Sequence, residues 1–355
     1  MKKLLALVLA LCMVAALCAC GTTAATTTAT EAAPAAAEEA VEEAAVEEAA
    51  PAAEAVTYKV GISIYQFTDN FMTLYRNKME ELFKAASTDE VKYEVTIVDG
   101  KNDMAEQTNQ VNTFIAQGMD VIILNLVQTS SAEAVVKTVV DAGIPLVLIN
   151  REPAAENMTE NAEVCYVGAK AQDSGTYQGQ MIAALDNKGD LNGDGKVSYI
   201  MIEGDPENSD AQYRTEFSVA ALSEVIEVEC LDDQIGMWDQ TKGNELCANA
   251  LAKYGDAIEV VFCNNDAMAL GAAAAIKDAG RVVGEDIYLV GVDALDEAVE
   301  MVKDGSMTGT VLNDANGQAQ QAVDCAIALL NGEAVEDYYW VPYVMVNQEY
   351  ALANY

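Results

Sequence analysis

From residue 57 onward, short uninterrupted apolar runs alternate with longer segments in which apolar side chains recur every three or four positions. Residues 58–65 read as a strand. Residues 70–86 read as a helix, with Phe71, Leu74, Met79, Leu82 and Phe83 on one face. The rhythm continues with strands at 93–98, 121–125 and 145–149 and helices at 104–117 and 131–142. It resumes with strands at 164–167, 197–202, 225–231, 258–263, 287–292 and 309–313, and a long helix at 316–330. Strands this uniformly apolar are expected where helices cover both faces of a sheet. The pattern predicts an α/β protein of two doubly wound parallel-sheet lobes.

The first 56 residues follow another rule. Lys2 and Lys3 precede an uncharged apolar stretch at 4–17, too short to span a bilayer and of the length of an export signal. It ends in Leu17-Cys18-Ala19-Cys20-Gly21, the pattern of a bacterial lipoprotein signal. Residues 1–20 are thus expected to be a signal peptide, with Cys20 lipidated and the protein held on the extracytoplasmic face of a membrane. A plain secretory signal cut at an Ala-x-Ala-like site is the alternative. Residues 21–56, rich in Ala, Thr and Glu, cannot bury enough apolar surface to offset their ordering entropy, and are expected to form a disordered stalk.

Composition narrows the chemistry. The chain has no histidine, which excludes Ser-His-Asp and Cys-His nucleophiles and imidazole bases. A formal net charge of −38 repels nucleic acid. Beyond residue 56 stand Cys165, Cys230, Cys247, Cys263 and Cys325, with no C-x-x-C spacing, and they read as small core hydrophobes.

In open α/β sheets, ligands bind beyond the carboxyl ends of strands. Those ends carry Asp69 and Phe71; Asn125; Asn208, Asp210 and Arg214; Asn265 and Asp266; Asp293; and Asn313 and Asp314, with Trp238 in an irregular stretch after residue 231. Amides, carboxylates, one guanidinium and two aromatics are what a sugar requires. Hydroxyls both donate and accept, and the C–H face of a ring packs on an aromatic. A lone Asn or Asp at a strand end is commonly a helix cap, and Asp266 and Asp314 are assigned that role. The Gly-rich turns and basic residues of a phosphate site are absent.

In this order, the motifs Asp69-Asn70-Phe71-Met72, Ile123-Leu124-Asn125, Asp210-Ala211 with Arg214, Met237-Trp238-Asp239, Asn264-Asn265-Asp266-Ala267-Met268, Gly291-Val292-Asp293-Ala294 and Leu312-Asn313-Asp314-Ala315-Asn316 resemble the galactose/glucose-binding branch of ribose-type periplasmic binding proteins of ABC transporters. The resemblance implies a type I periplasmic binding protein fold, with a three-segment hinge and no enzymatic activity. It implies that Phe71 and Trp238 sandwich a monosaccharide, glucose or galactose. Asp69, Asn125, Asp210, Arg214, Asn265, Asp293 and Asn313 would bond its oxygens. Asn208 stands where the family's best-known member has histidine.

The chain would cross between lobes near Ile144, near Asn313 and at 340–342. The N-terminal lobe would be 57–144 plus 314–340, and the C-terminal lobe 145–313 plus 341–355. A monomer delivering sugar to an ABC permease is the expected role. A chemotaxis or sensor-kinase receptor, or a receptor for ribose or xylose, is the alternative. A glycosidase using Asp69 and Asp293 as an acid–base pair is the enzymatic rival.

One further motif concerns a cation. Asp190, Asn192, Asp194 and Gly195 match the first half of an EF-hand loop, D-x-N-x-D-G, but position twelve is Met201 instead of the bidentate Glu. The resemblance supplies Glu259 to complete a structural calcium site. Lys196 would contribute its carbonyl, and Ser198 stands where the family has a longer amide. A tight turn without metal is the other reading.

Overall fold

The protein is described by a computed structural model, which covers residues 55–158 and 163–355. The signal peptide, Cys20 and nearly all of the stalk lie outside the described residues. Two six-stranded sheets organise the chain. The strands of the first are β1 (Val56–Ile64), β2 (Val91–Asp99), β3 (Val121–Leu124), β4 (Leu146–Ile149), β5 (Val164–Gly168) and β11 (Tyr338–Trp340). Those of the second are β6 (Lys196–Glu203), β7 (Glu227–Ile235), β8 (Val260–Cys263), β9 (Tyr288–Val290), β10 (Gly309–Leu312) and β12 (Val344–Asn347). The helices between them are α1 (Asn70–Ala86), α2 (Met104–Gln117), α3 (Ala132–Asp141), α4 (Ala171–Ala183), α5 (Ser209–Ser223), α6 (Gln240–Tyr254), α7 (Asp266–Asp278), α8 (Asp296–Asp304), α9 (Ala315–Leu330) and α10 (Gln348–Asn354).

The sheet orders are β11-β5-β4-β3-β1-β2 and β12-β10-β9-β8-β6-β7. All neighbours run parallel except β10 and β12. The central strands β3, β4, β8 and β9 are buried along their whole length, which explains their unbroken apolar runs. In each lobe the chain lays one strand on one side and then returns to the other. The order therefore reverses between β1 and β3 and between β6 and β8, and these switch points face the cleft.

The first crossing between lobes differs from the expected one near Ile144. β4 pairs with β3, and β5 pairs with β4 and β11, so residues 145–168 belong to the first sheet and the chain crosses between β5 and α4. Buried strands of either lobe carry the same apolar pattern, so only hydrogen-bonded neighbours assign them. The later crossings fall between β10 and α9 and between β11 and β12. Both lobes lie within one compact unit.

Local capping explains where helices begin at the cleft. The side chains of Asp69, Asn208, Asp239, Asn265 and Asp314 accept hydrogen bonds from the first turns of α1, α5, α6, α7 and α9. Asp314 therefore has its assigned role. Asp266 does not: it is the first residue of α7, and its carboxylate accepts from Thr310 Oγ1 at 2.7 Å and Leu295 N at 2.9 Å, tying α7 to β10 and to the turn before α8. Cys165, Cys247, Cys263 and Cys325 are buried free thiols, whereas Cys230 is exposed on the edge strand β7.

Candidate functional site: a buried cavity between the lobes

A small cavity lies between the lobes. It gathers Asp69, Phe71, Asn208, Asp210, Arg214, Trp238, Asn265, Asp293 and Asn313. Asn125 does not line it. Its amide is fully buried, donating to the Ile149 carbonyl and Asn150 Oδ1 and accepting from Tyr65 N, each at 3.2 Å. It serves to hold the end of β4. The residues there, Asn150 and Arg151, reach the cavity, together with Tyr65 and Met72. Asn150 and Arg151 directly follow a predicted strand, so the strand-end signal applied to them as well.

The first lobe contributes an aromatic wall and a cap. Phe71, 6% exposed, packs edge-on against Tyr75 with centroids 6.0 Å apart. Asp69 caps α1 through Oδ1 (2.7 Å to Met72 N) and accepts the Tyr65 hydroxyl on Oδ2 at 2.6 Å. Arg151 lies over the Tyr65 ring, its guanidinium carbon 3.8 Å from the centroid.

The second lobe contributes buried charge. Arg214 donates to the Asn264 carbonyl (2.9 Å), to Asp210 Oδ2 (3.3 Å) and to the Tyr343 hydroxyl (3.0 Å). Its helix can come this close because α4 carries Gly175, where a Cβ would sit 2.8 Å from the Arg214 carbonyl. Burial raises the Asp210 carboxyl, an effect the Arg214 and Arg151 guanidiniums oppose. Asp293 is pushed well above the usual carboxylate range, chiefly by burial; Arg214 pulls it down, while Asp266 and Asp69 push it further up. Its hydrogen-bonding partner is Asn313, whose Nδ2 donates to Asp293 Oδ1 at 3.2 Å.

Backbone strain gathers at this site. Asn150, Met237, Trp238, Asp293 and Ala294 have φ of 62°, 54°, 65°, 127° and 52°, values that L residues rarely adopt. The indole of Trp238 rests on Gly204, where a Cβ would lie 2.1 Å from the ring. Trp238 Nε1, Arg214 Nε, and Arg151 Nε and Nη2 are buried donors without a protein acceptor.

The candidate cation loop is folded on itself. Asp190 accepts from Gly193 N (2.6 Å) and Gly195 N (2.9 Å), Asn192 from Asp194 N (2.8 Å) and Asp194 from Lys196 N (3.1 Å). Glu259, 1% exposed, accepts from Leu191 N, Asn192 N and Ser198 N at 2.8, 3.0 and 2.8 Å. The donors are oxygens, the kind a hard cation takes. Their present hydrogen bonds go to amides of the loop and β6. Among the described residues, no group of three or more His, Cys, Asp or Glu side chains is placed to hold a metal ion, so a cation here would need the loop to reorganise and carbonyl or amide oxygens to join.

Two hinged α/β lobes enclosing a small polar cavity with aromatic walls define a binding protein that works by capture. The periplasmic binding protein domain matches residues 60–334, and the chain belongs to that family. It is 36% identical over 299 residues to a Rhizobium meliloti protein named for rhizopine binding, covering 84% of this chain and 92% of the relative. It is 31% identical over 314 residues to the D-galactose/methyl-galactoside binding periplasmic protein of Haemophilus influenzae, with the same coverages of 84% and 92%. A Bacillus halodurans ABC transporter solute binding protein, solved with myo-inositol, superposes with a TM-score of 0.73 at 31% identity, covering 85% of this chain and 98% of that one. The fold is the type I periplasmic binding protein fold, and the chain is not an enzyme. Among the described residues no helix is long and apolar enough to cross a membrane.

Proposed function

We propose that the protein is an extracytoplasmic receptor that captures a six-membered ring polyol, D-glucose or D-galactose, and delivers it to an ABC importer. The observation that carries this reading is that Phe71 of one lobe and Trp238 of the other line the same small cavity as Asp69, Asp210, Asp293, Asn265 and Asn313. Aromatic faces take the C–H surface of a ring, and carboxylate and amide oxygens accept its hydroxyl protons. A ligand touching both lobes favours the closed state by contacts that the open state lacks. The galactose and myo-inositol for which these relatives are known support a ring polyol and also a second reading, in which the ring is myo-inositol. A titration-calorimetry panel of D-glucose, D-galactose, myo-inositol, D-ribose and xylitol tests both. Tight binding of either hexose bears out the first reading, and of the cyclitol alone the second. Heat from ribose or xylitol only would end both.

The same reading places Cys20 as the lipid anchor and a permease as the partner of the closed form. It also assigns a structural calcium ion to Asp190, Asn192, Asp194, Lys196, Ser198 and Glu259. What supports the ion is a buried Glu259 beneath an oxygen-rich loop turned by Gly193 and Gly195 (φ 77° and 92°). Chelator is expected to lower the melting temperature by several degrees, and added calcium to restore it. A melting curve indifferent to both removes the ion.

A further inference from the structure

Arg151 follows β4 in the first lobe, and Asp205 follows β6 in the second. They meet across the cleft, Arg151 Nη1 lying 3.4 Å from Asp205 Oδ2, with the side chains 1% and 8% exposed. Arg151 is held from its own lobe by the Tyr65 ring beneath it and by the Val127 carbonyl, which Nη1 also reaches. Asp205 is held from the other lobe by Glu207 N, which donates to Oδ1 at 3.0 Å. Beside this pair a second bond joins the lobes, from Thr129 Oγ1 to the Glu207 carbonyl at 3.2 Å. Opening the cleft must separate Arg151 from Asp205 and Thr129 from Glu207, and return both charges to water.

A buried ion pair roughly breaks even against the desolvation of its two charges. Losing one partner is different, because the remaining charge stays buried and uncompensated. Arg151 adds an asymmetry of its own. Its Nε and Nη2 are buried without an acceptor, and the residue lines the cavity. Unsatisfied donors oppose closure of an empty cleft, and an oxygen of a ligand removes that cost.

We propose that Arg151 and Asp205 form a ligand-gated latch. Arg151 takes a ligand oxygen with its unpartnered donors and locks the opposite lobe through Asp205. Filling the cavity and fastening the lobes are thereby coupled through one guanidinium. The identity of the ligand rests on the function proposed above; the latch itself does not.

The test uses the mature protein with Asp205→Ala and the nearly isosteric Asp205→Asn. Small-angle scattering reads lobe closure, and calorimetry reads affinity for the hexose or cyclitol that binds the wild type. Both variants are expected to keep wild-type circular dichroism, to bind at least tenfold more weakly and to need correspondingly more ligand to compact. In an Arg151→Gln background, Asp205→Asn is expected to add little. Compaction of both variants at the wild-type ligand concentration overturns the latch. If D-ribose or xylitol compacts the wild type and no ring polyol does, the ligand assignment fails, and the latch is judged by the same comparison of Asp205→Ala with the wild type in that polyol; compaction by none of these ligands overturns the latch as well.

Discussion

The two walls of the cavity are built differently. The first lobe offers Phe71, Met72, Tyr65, Asn150, the buried Arg151 and a half-buried Asp69 whose two oxygens already serve a helix cap and a tyrosine. The second offers Asp210, Arg214 and Asp293, all at least 94% buried, with Arg214 bonded to Asp210 and Tyr343 and Asp293 to Asn313. The first wall sets one buried guanidinium, Arg151, among aromatic and apolar side chains; the second concentrates two buried carboxyls around a guanidinium. Fixed charges in a dry site interact more strongly than mobile ones in water. Selectivity among hydroxyl patterns should therefore reside in the second lobe and ring packing in the first.

The sharpest way to break this contrast is to remove a carboxylate from each wall. Asp293→Ala should cost about 3 kcal/mol of binding, roughly a hundredfold in Kd, because the ligand loses a buried carboxyl partner and Asn313 is left unpaired. Asp69→Ala should cost about a tenth as much in Kd, with part of its damage appearing as lost helix capping. Equal losses in calorimetry would remove the distinction between the walls.

A smaller effect is expected at Gly204, which touches the indole and whose amide donates to Asn264 Oδ1 at 2.9 Å, a bond that a Cβ leaves in place. Its replacement by Ala should push Trp238 into the cavity and weaken binding by about 1–2 kcal/mol. The same change in a Trp238→Ala background should do almost nothing. An additive double-mutant cycle would show that Gly204 does not position the ring.

The smallest effect concerns pH. Burial pushes the Asp266 carboxyl up to about 6, against the bonds from Thr310 and Leu295 that lower it. A raised folded-state value means that the folded protein holds this proton more tightly than the unfolded chain. Stability should therefore rise as pH falls from 7 toward 5, by about 1 kcal/mol from this group, and be lost again as pH rises through about 6. Asp293 acts in the same direction. Thermal melts at several pH values should show this slope, and Asp266→Asn should flatten it; an unaltered slope would assign the pH dependence to other groups.

The alternative readings of the strand-end residues turn out to be compatible. Asp69, Asn208 and Asn265 cap helices and line the cavity at once, because a helix that starts at the end of a cleft strand points its first turn, and hence its cap, into the cleft. The position of a residue after an apolar strand was enough to nominate it. It was not enough to separate Asn125 from Asn150. Both end a buried strand, and only the packing of β3 against β4 turns one amide inward to hold the other. Arg151 escaped notice for a related reason: a guanidinium's partner on the opposite lobe has no fixed spacing in sequence.

By itself the sequence determined the alternation of strand and helix, the two-lobed class, and most of the chemistry of the cavity. Apolar periodicity and capping residues act over a few positions and so leave a local trace. The tertiary structure alone decided that β4 and β5 join the first sheet, that Arg151 meets Asp205 and that Trp238 leans on a glycine in another turn. These are contacts between segments distant in the chain, fixed by hydrogen-bonded edges and close packing that no local pattern records.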